Sequence, residues 1–211
     1  MSVSDLDEEM IARLETGDEH AFVEIFSQHR DRLKQMLQFR MDPRLRGRED
    51  ASDIVQEVYI DAYQRMRHYL RRPELSFYIW LRQLTTQRLI DIHRKHLKAE
   101  MRDVKQEVSI RRHGVESSSE SMAIQLVAQL VSPSQTVMRE ELLEQIRTVL
   151  DDMDEVDREI IALRHFEELK NNEVAEVLGL KQAAASNRYM RALSRLREAL
   201  QDLPGFMDED L

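Results

Sequence analysis

The chain has no cysteine, which excludes disulfides and thiolate metal sites and points to a reducing compartment. Glycine occurs five times and proline four times in 211 residues. So few turn-formers suit long helices with short connections better than strands and tight turns. Aromatic residues make up only 6%. No apolar run approaches the roughly 18 residues that span a bilayer. Met1–Met10 is acidic and polar, without the basic start and apolar centre of a signal peptide. A soluble, cytoplasmic protein is therefore expected. The hydrophobic fraction, 42%, still suffices for packed cores, and the length fits two small domains better than one.

Positive charge is outnumbered, 31 Lys and Arg against 40 Asp and Glu, which gives a formal net charge of −9. Taken as an average this argues against nucleic acid, because DNA binding sets Lys and Arg against phosphates. The distribution reverses the argument. Met1–Glu24 carries Asp5, Asp7, Glu8, Glu9, Glu15, Asp18, Glu19 and Glu24 against Arg13 alone. Lys181–Arg197 carries Lys181, Arg188, Arg191, Arg195 and Arg197 and no acid. Arg82–Lys98 carries Arg82, Arg88, Arg94, Lys95 and Lys98 against Asp91. Two basic stripes in an acidic chain imply localised nucleic-acid contact beside a separate acidic surface.

The apolar residues recur with helical period almost throughout. Glu8–Leu14 reads as a short helix stopped by Thr16-Gly17. Asp18 caps a helix to about Phe39, with Phe22, Ile25, Phe26, Leu33, Met36 and Leu37 inward. Asp42-Pro43 and Gly47 mark a loop. A third helix runs from about Ala51 to Tyr69 with Ile54, Val55, Val58, Tyr59 and Ala62 inward. A break at Arg71–Glu74 precedes a fourth, capped by Ser76 and reaching about Glu100. Its expected inner face is Phe77, Trp80, Leu81, Leu84, Leu89 and Ile92, leaving Arg82, Gln83, Gln87, Arg88, Arg94 and Lys95 outside. Residues 101–135 read as a linker, with Ser117–Ser121 flexible by composition and an apolar stretch from Met122 to Val131. Helical patterning resumes at about Thr136 and stops at Pro204-Gly205. The expected fold is all-α: a domain over 1–100, a flexible linker over 101–135 and a helix-turn-helix domain over 136–211.

Asn171–Leu200 carries the sharpest motif. Val174, Ala175, Val177 and Leu178 give a short amphipathic helix, and Gly179 ends it in the left-handed position that glycine tolerates. Ala183, Ala184 and Ala185 open the next helix, and Ala175 with Ala185 permits a close crossing. This is the geometry in which a second helix lies in the major groove. Its early residues Gln182, Ala183, Ser186 and Asn187 are placed for base edges, since Asn and Gln pair with adenine and an alanine methyl meets a thymine methyl. Arg188, Arg191 and Arg195 suit phosphates, which position without specifying. The alternative is an ordinary helical hairpin with a solvated basic face, and the acid-free charge from Lys181 to Arg197 in an otherwise acidic chain argues against it.

The motifs as a set resemble the small two-domain class of bacterial sigma factors, the extracytoplasmic-function group. Asp50–Val58 (DASDIVQEV) is similar to the family's polymerase-core-binding helix. Phe77–Arg82 followed by Arg88–Lys95 is similar to its promoter-opening helix. Asp157–Arg164 followed by Glu173–Leu180 is similar to its fourth region. The resemblance covers about four-fifths of the chain, in the family's order. It implies that Asp53, Gln56 and Glu57 face the clamp helices of the RNA polymerase largest subunit. It implies that Arg82, Gln83, Gln87, Arg88, Arg94 and Lys95 meet the −10 promoter element, and that Lys181, Gln182, Ala183, Ser186, Asn187, Arg188, Arg191 and Arg195 meet the −35 element. Leu70–Leu75 would frame a pocket for a flipped base, with Tyr69 and Tyr78 as aromatic candidates for base stacking or for core packing. An anti-sigma factor or another regulator is a further implied partner, and no cofactor is implied. Ala185 and Ser186 depart from the family's β-branched and basic residues, which puts the promoter sequence read in doubt.

Two other classes compete. A metal enzyme would use His93 and His96, three apart and near Asp91 and Glu100, but Arg94, Lys95 and Lys98 repel a cation there. No phosphate-cradling glycine loop or nucleophile elbow is present. A helix-turn-helix regulator with an N-terminal sensor or dimerisation domain would bind duplex DNA without polymerase.

Overall fold

A computed structural model describes residues 6, 8–42, 44–100, 119–128 and 136–201. The chain divides into two compact units, Met1–Gln106 and Glu107–Leu211. All the regular structure among the described residues is helical. The first unit holds α1 (Glu8–Glu15), α2 (Glu19–Arg40), α3 (Ala51–Arg71) and α4 (Phe77–Glu100). The second holds α5 (119–128), α6 (Thr136–Asp152), α7 (Glu155–Ile161), a π-helical turn (Ala162–Phe166), α8 (Asn171–Leu178) and α9 (Gln182–Gln201). Among the described residues no helix is long and apolar enough to cross a membrane.

Capping fixes where the helices of the first unit begin. Asp18 accepts from the backbone N–H of His20 and Ala21, at 2.9 and 3.2 Å. Arg13 donates to its other carboxylate oxygen at 2.9 Å, so the carboxyl is held below its usual range, first by Arg13 and then by the cap. Asp50 starts α3 the same way, accepting from Ser52 N–H at 2.6 Å. Each cap satisfies backbone N–H groups that the first turn of a helix otherwise leaves without intrahelical partners.

The core of this unit forms where α2, α3 and α4 meet, with α1 laid on α2 and α3. Phe22 is central: its ring lies 5.0 Å from Tyr59, 5.2 Å from Tyr63 and 5.8 Å from Phe26. A second cluster joins Phe77, Tyr69, Trp80 and His29. All six expected inward residues of α2 are buried, as are Ile54, Val55, Val58 and Ala62 of α3. Tyr59, Trp80 and Leu84 are half-buried.

Two expectations need correction. Arg82 is buried, at 7% exposure, not outward. It lies on the row Tyr78, Leu81, Thr85, Leu89, Ile92, whose steps of three and four residues define the inner face of α4. The phase of the helix turns it inward. The second correction concerns the linker. Residues 119–128 form a helix in which Ser119, Ser121, Met122, Ala123 and Val127 are buried and Ile124 and Leu126 half-buried. The apolar run supplies a face that the serine-rich composition concealed. Leu130 and Val131, and the remainder of 101–135 outside 119–128, lie outside the described residues.

In the second unit, Arg158 crosses from α7 to donate to the Leu150 carbonyl at 2.7 Å, satisfying a C-terminal acceptor of α6. Ile146, Leu150, Ile160, Ile161, Leu163, Val174, Ala175, Ala185, Ala192 and Leu196 are buried. The chain leaves the π-helical turn through Glu168, whose φ of 56° puts a non-glycine residue in the left-handed region. The turn returns the backbone so that Leu169 N–H reaches the Leu163 carbonyl at 2.8 Å, and α8 then runs back towards α9.

Candidate polymerase and nucleic-acid interfaces

α3 buries one stripe and exposes the next. Asp53, Gln56 and Glu57 are all exposed, on adjacent turns of one face. The same face continues through Ile60, 51% exposed, and Gln64. Sequence reading missed Ile60, although it falls outside the buried set Val55, Val58 and Ala62 and so was detectable from phase. An exposed isoleucine flanked by carboxylates suits a partner that offers both cations and apolar stems.

On α4, Gln83, Gln87, Arg88, Arg94 and Lys95 are exposed as expected, leaving Arg82 as the exception. Gln87 donates to Asp91 at 3.2 Å. Arg88 pairs across the helices with Glu57. The loop ahead of α4 is exposed over Arg71–Glu74, with Arg72 and Glu74 paired at 3.2 Å. Tyr69 closes this loop by donating to the Leu75 carbonyl at 2.9 Å, and its ring stacks on Trp80 at 4.5 Å. Tyr78 is fully buried beneath Arg32, whose guanidinium sits 3.6 Å from the ring centroid. Both tyrosines are therefore core residues, which leaves the half-buried Trp80 as the aromatic edge beside the loop. His96, one of the two histidines considered for a metal, lies 2.6 Å from Glu49.

The second unit shows the turn that the sequence implied. Gly179 adopts φ 63°, its N–H donates to the Glu176 carbonyl at 3.3 Å, and Leu180 N–H reaches Ala175 at 2.8 Å. These two bonds close α8 in the Schellman pattern. Glu173 accepts from Lys170 N–H at 2.7 Å and so anchors the other end of α8. Asn171 donates to the Gln182 carbonyl at 3.0 Å and ties α8 to the first turn of α9. Ala175 and Ala185 are buried at the crossing.

Beyond that crossing Lys181, Gln182, Ala183, Ser186, Asn187, Arg191 and Arg195 are exposed, and Arg188 is half-buried. The arginines divide into two kinds. Arg191 donates to Asn187 in its own helix at 3.3 Å. Arg188 instead spans Asp154 at 3.3 Å and Asp157 at 3.1 Å, and Arg195 reaches the other oxygen of Asp157 at 3.3 Å. Asp157 is buried, so α9 is docked on α7 through one carboxylate held between two guanidinium groups. The sequence places these groups 31 to 38 residues apart and carries no sign of the pairing.

A histidine stands beside α9. His165 lies 2.8 Å from the Tyr189 hydroxyl, and Arg164 sits over the Tyr189 ring at 5.1 Å. Burial, and then the charge of Arg164, push the imidazole below its usual pKa. The folded unit thus binds fewer protons than the unfolded chain as pH falls towards the unfolded value of about 6.5. Stability contributed by the neutral form is present above that pH and is lost below it. His165→Gln should flatten the fall in second-unit stability between about pH 7 and 5, measured by denaturant titration; an unchanged pH profile would count against this group.

The sigma-70 region 2 family matches residues 25–99, and the sigma-70 region 4 family matches residues 143–196. The chain is 30% identical over 193 residues to the ECF RNA polymerase sigma factor SigW of Bacillus subtilis, covering 92% of this chain and 96% of that protein. It belongs to the extracytoplasmic-function sigma factors. This sigma factor is also 24% identical to the RNA polymerase sigma-H factor of Pseudomonas aeruginosa, over 96% of this chain and 98% of that one. Its fold matches the structure of CnrH in complex with the cytosolic domain of CnrY at a TM-score of 0.51 and 19% identity, covering 92% and 97% of the two chains. The function is the family's: the sigma factor directs RNA polymerase core to promoters for transcription initiation.

Proposed function

We propose that the two units divide this work. In the first, Asp53, Gln56 and Glu57 dock on the clamp helices of the polymerase largest subunit. Gln83, Gln87, Arg88, Arg94 and Lys95 track the opened −10 strand, where cations follow the backbone. Arg82 is left out of the strand-facing set because it is buried. In the second unit Gln182, Ala183, Ser186 and Asn187 read the −35 duplex, with Lys181 and Arg191 on phosphates. Arg188 and Arg195 reach phosphates only through the edges that Asp154 and Asp157 leave uncovered. The observation that carries this reading is the exposed, acid-free start of α9 behind the Gly179 turn. The protein acts by binding and strand separation in the cytoplasm, with no covalent step of its own. An anti-sigma factor or similar regulator is a further partner.

The deciding experiment mixes the full chain with core polymerase and scores transcription from promoter DNA. Specific duplex binding without core, and no transcription with it, would return the chain to the class of ordinary helix-turn-helix regulators. A finer test uses Arg191→Ala. It should weaken promoter binding across sequences and lower the salt slope by about one. An unaltered slope removes Arg191 from the phosphate contacts.

A further inference from the structure

Glu57 and Arg88 belong to the two faces assigned to different partners, and they are paired with each other. Arg88 donates from Nε to Glu57 Oε2, and its Nη2 contacts the same oxygen. The pair joins α3 to α4 along a groove of about 390 Å³ lined in part by Val58, Ile60 and Leu84. The side chains are 49% and 44% exposed, so a partner can reach either one. The neighbouring carboxylates are already engaged: Asp61 pairs with Arg65 at 2.7 Å, and Asp91 accepts from Gln87. A cation arriving at Glu57 therefore competes with Arg88, and a phosphate arriving at Arg88 competes with Glu57.

We propose that Glu57 is a positioning residue for the DNA-binding step. It occupies Arg88 in the free chain and releases it when a cationic helix of the polymerase takes the carboxylate. This rests on the assignment of the two faces above. Two ligands that break the same internal pair favour one another, and that linkage is reciprocal. Core binding thereby raises the affinity of α4 for the strand, and a bound strand raises the affinity for core. Because the pair is half-exposed, the effect is a few-fold rather than an absolute gate.

The test uses the full chain and a fluorescein-labelled single-stranded oligonucleotide of random sequence, followed by anisotropy across a salt series. Glu57→Gln should tighten binding by the free chain about three-fold and steepen the salt slope. In an Arg88→Gln background the same change should bring no such gain. An equal gain in both backgrounds would mean that removal of a negative charge suffices, and would overturn the proposal; so would no gain in either. The complex with core polymerase separates this from the underlying assignment. If Arg88→Gln leaves strand binding by that complex unaltered, the strand-facing role of Arg88 fails, and the coupling with it. If Arg88→Gln weakens the complex while Glu57→Gln does nothing in the free chain, only the coupling fails.

Discussion

Replacing Asp53 with lysine should abolish association with core RNA polymerase while leaving both units folded. Asp53 stands in the first turn of α3, exposed, ahead of Gln56 and Glu57 on the same face. The substitution changes the charge of that face by two and sets a cation against the basic clamp helices proposed as its partner. Like charges brought together at an interface cost several kcal/mol. Three kcal/mol already corresponds to more than about 100-fold in the dissociation constant. The fold should survive, because the side chain is exposed and the local cost is that of a lysine near a helix N-terminus, about 1 kcal/mol or less. The Asp50 cap, which starts α3, is untouched. Co-purification with core, or a titration followed by fluorescence, reads the loss, and circular dichroism reads the fold. The defect should shrink as salt screens the repulsion. Association at wild-type strength would remove the Asp53 face from the interface.

Most of the architecture was legible because the informative signals were local. Asp18 caps its helix from one residue away, and the stripe Phe22, Ile25, Phe26, Leu33, Met36, Leu37 states its own phase. Gly179 marks a left-handed turn that few other residues adopt at no cost. The failures share a different cause. The charge of Arg82 suggests an outward side chain, but its position between Tyr78 and Thr85 puts it on the buried row. Glu168 enters the left-handed region with no glycine to announce it, so the exit from the π-helical turn was invisible. The pairs Glu57–Arg88, Arg188–Asp154 and Arg195–Asp157 depend on how helices pack, and no spacing rule along the chain encodes them. For that reason the exposed residues of both faces could be named from the sequence, while the internal partners of their cations could not.

Those internal partners matter most at Asp157. Asp157→Ala should destabilise the second unit by about 2 kcal/mol and reduce the preference for specific over random duplex DNA. Removing one member of a buried charge pair leaves its partners uncompensated, and fully buried cases cost about 3–5 kcal/mol. The lower figure applies here because Arg195 is 62% exposed and Arg188 31%, so water can take over part of their solvation. The effect on DNA has two opposing parts. Freed guanidinium groups on α9 add sequence-independent attraction for phosphates. Loss of the carboxylate also loosens α9 against α7, which blurs the placement of Gln182, Ala183, Ser186 and Asn187 against base edges. Random duplex should therefore bind as well as before or better, while the promoter's own −35 element binds more weakly. Hydrogen exchange across α7 and α9 measures the stability term, and competition between the two duplexes measures the ratio. A double-mutant cycle with Arg188→Ala assigns the stability loss to the pair, with coupling expected at about 1 kcal/mol. A stability change within about 0.5 kcal/mol, the range of ordinary surface substitutions, would show that Asp157 does not dock the helix. An undiminished preference for the promoter despite a destabilised unit would show that reading by α9 does not depend on how firmly α7 holds it.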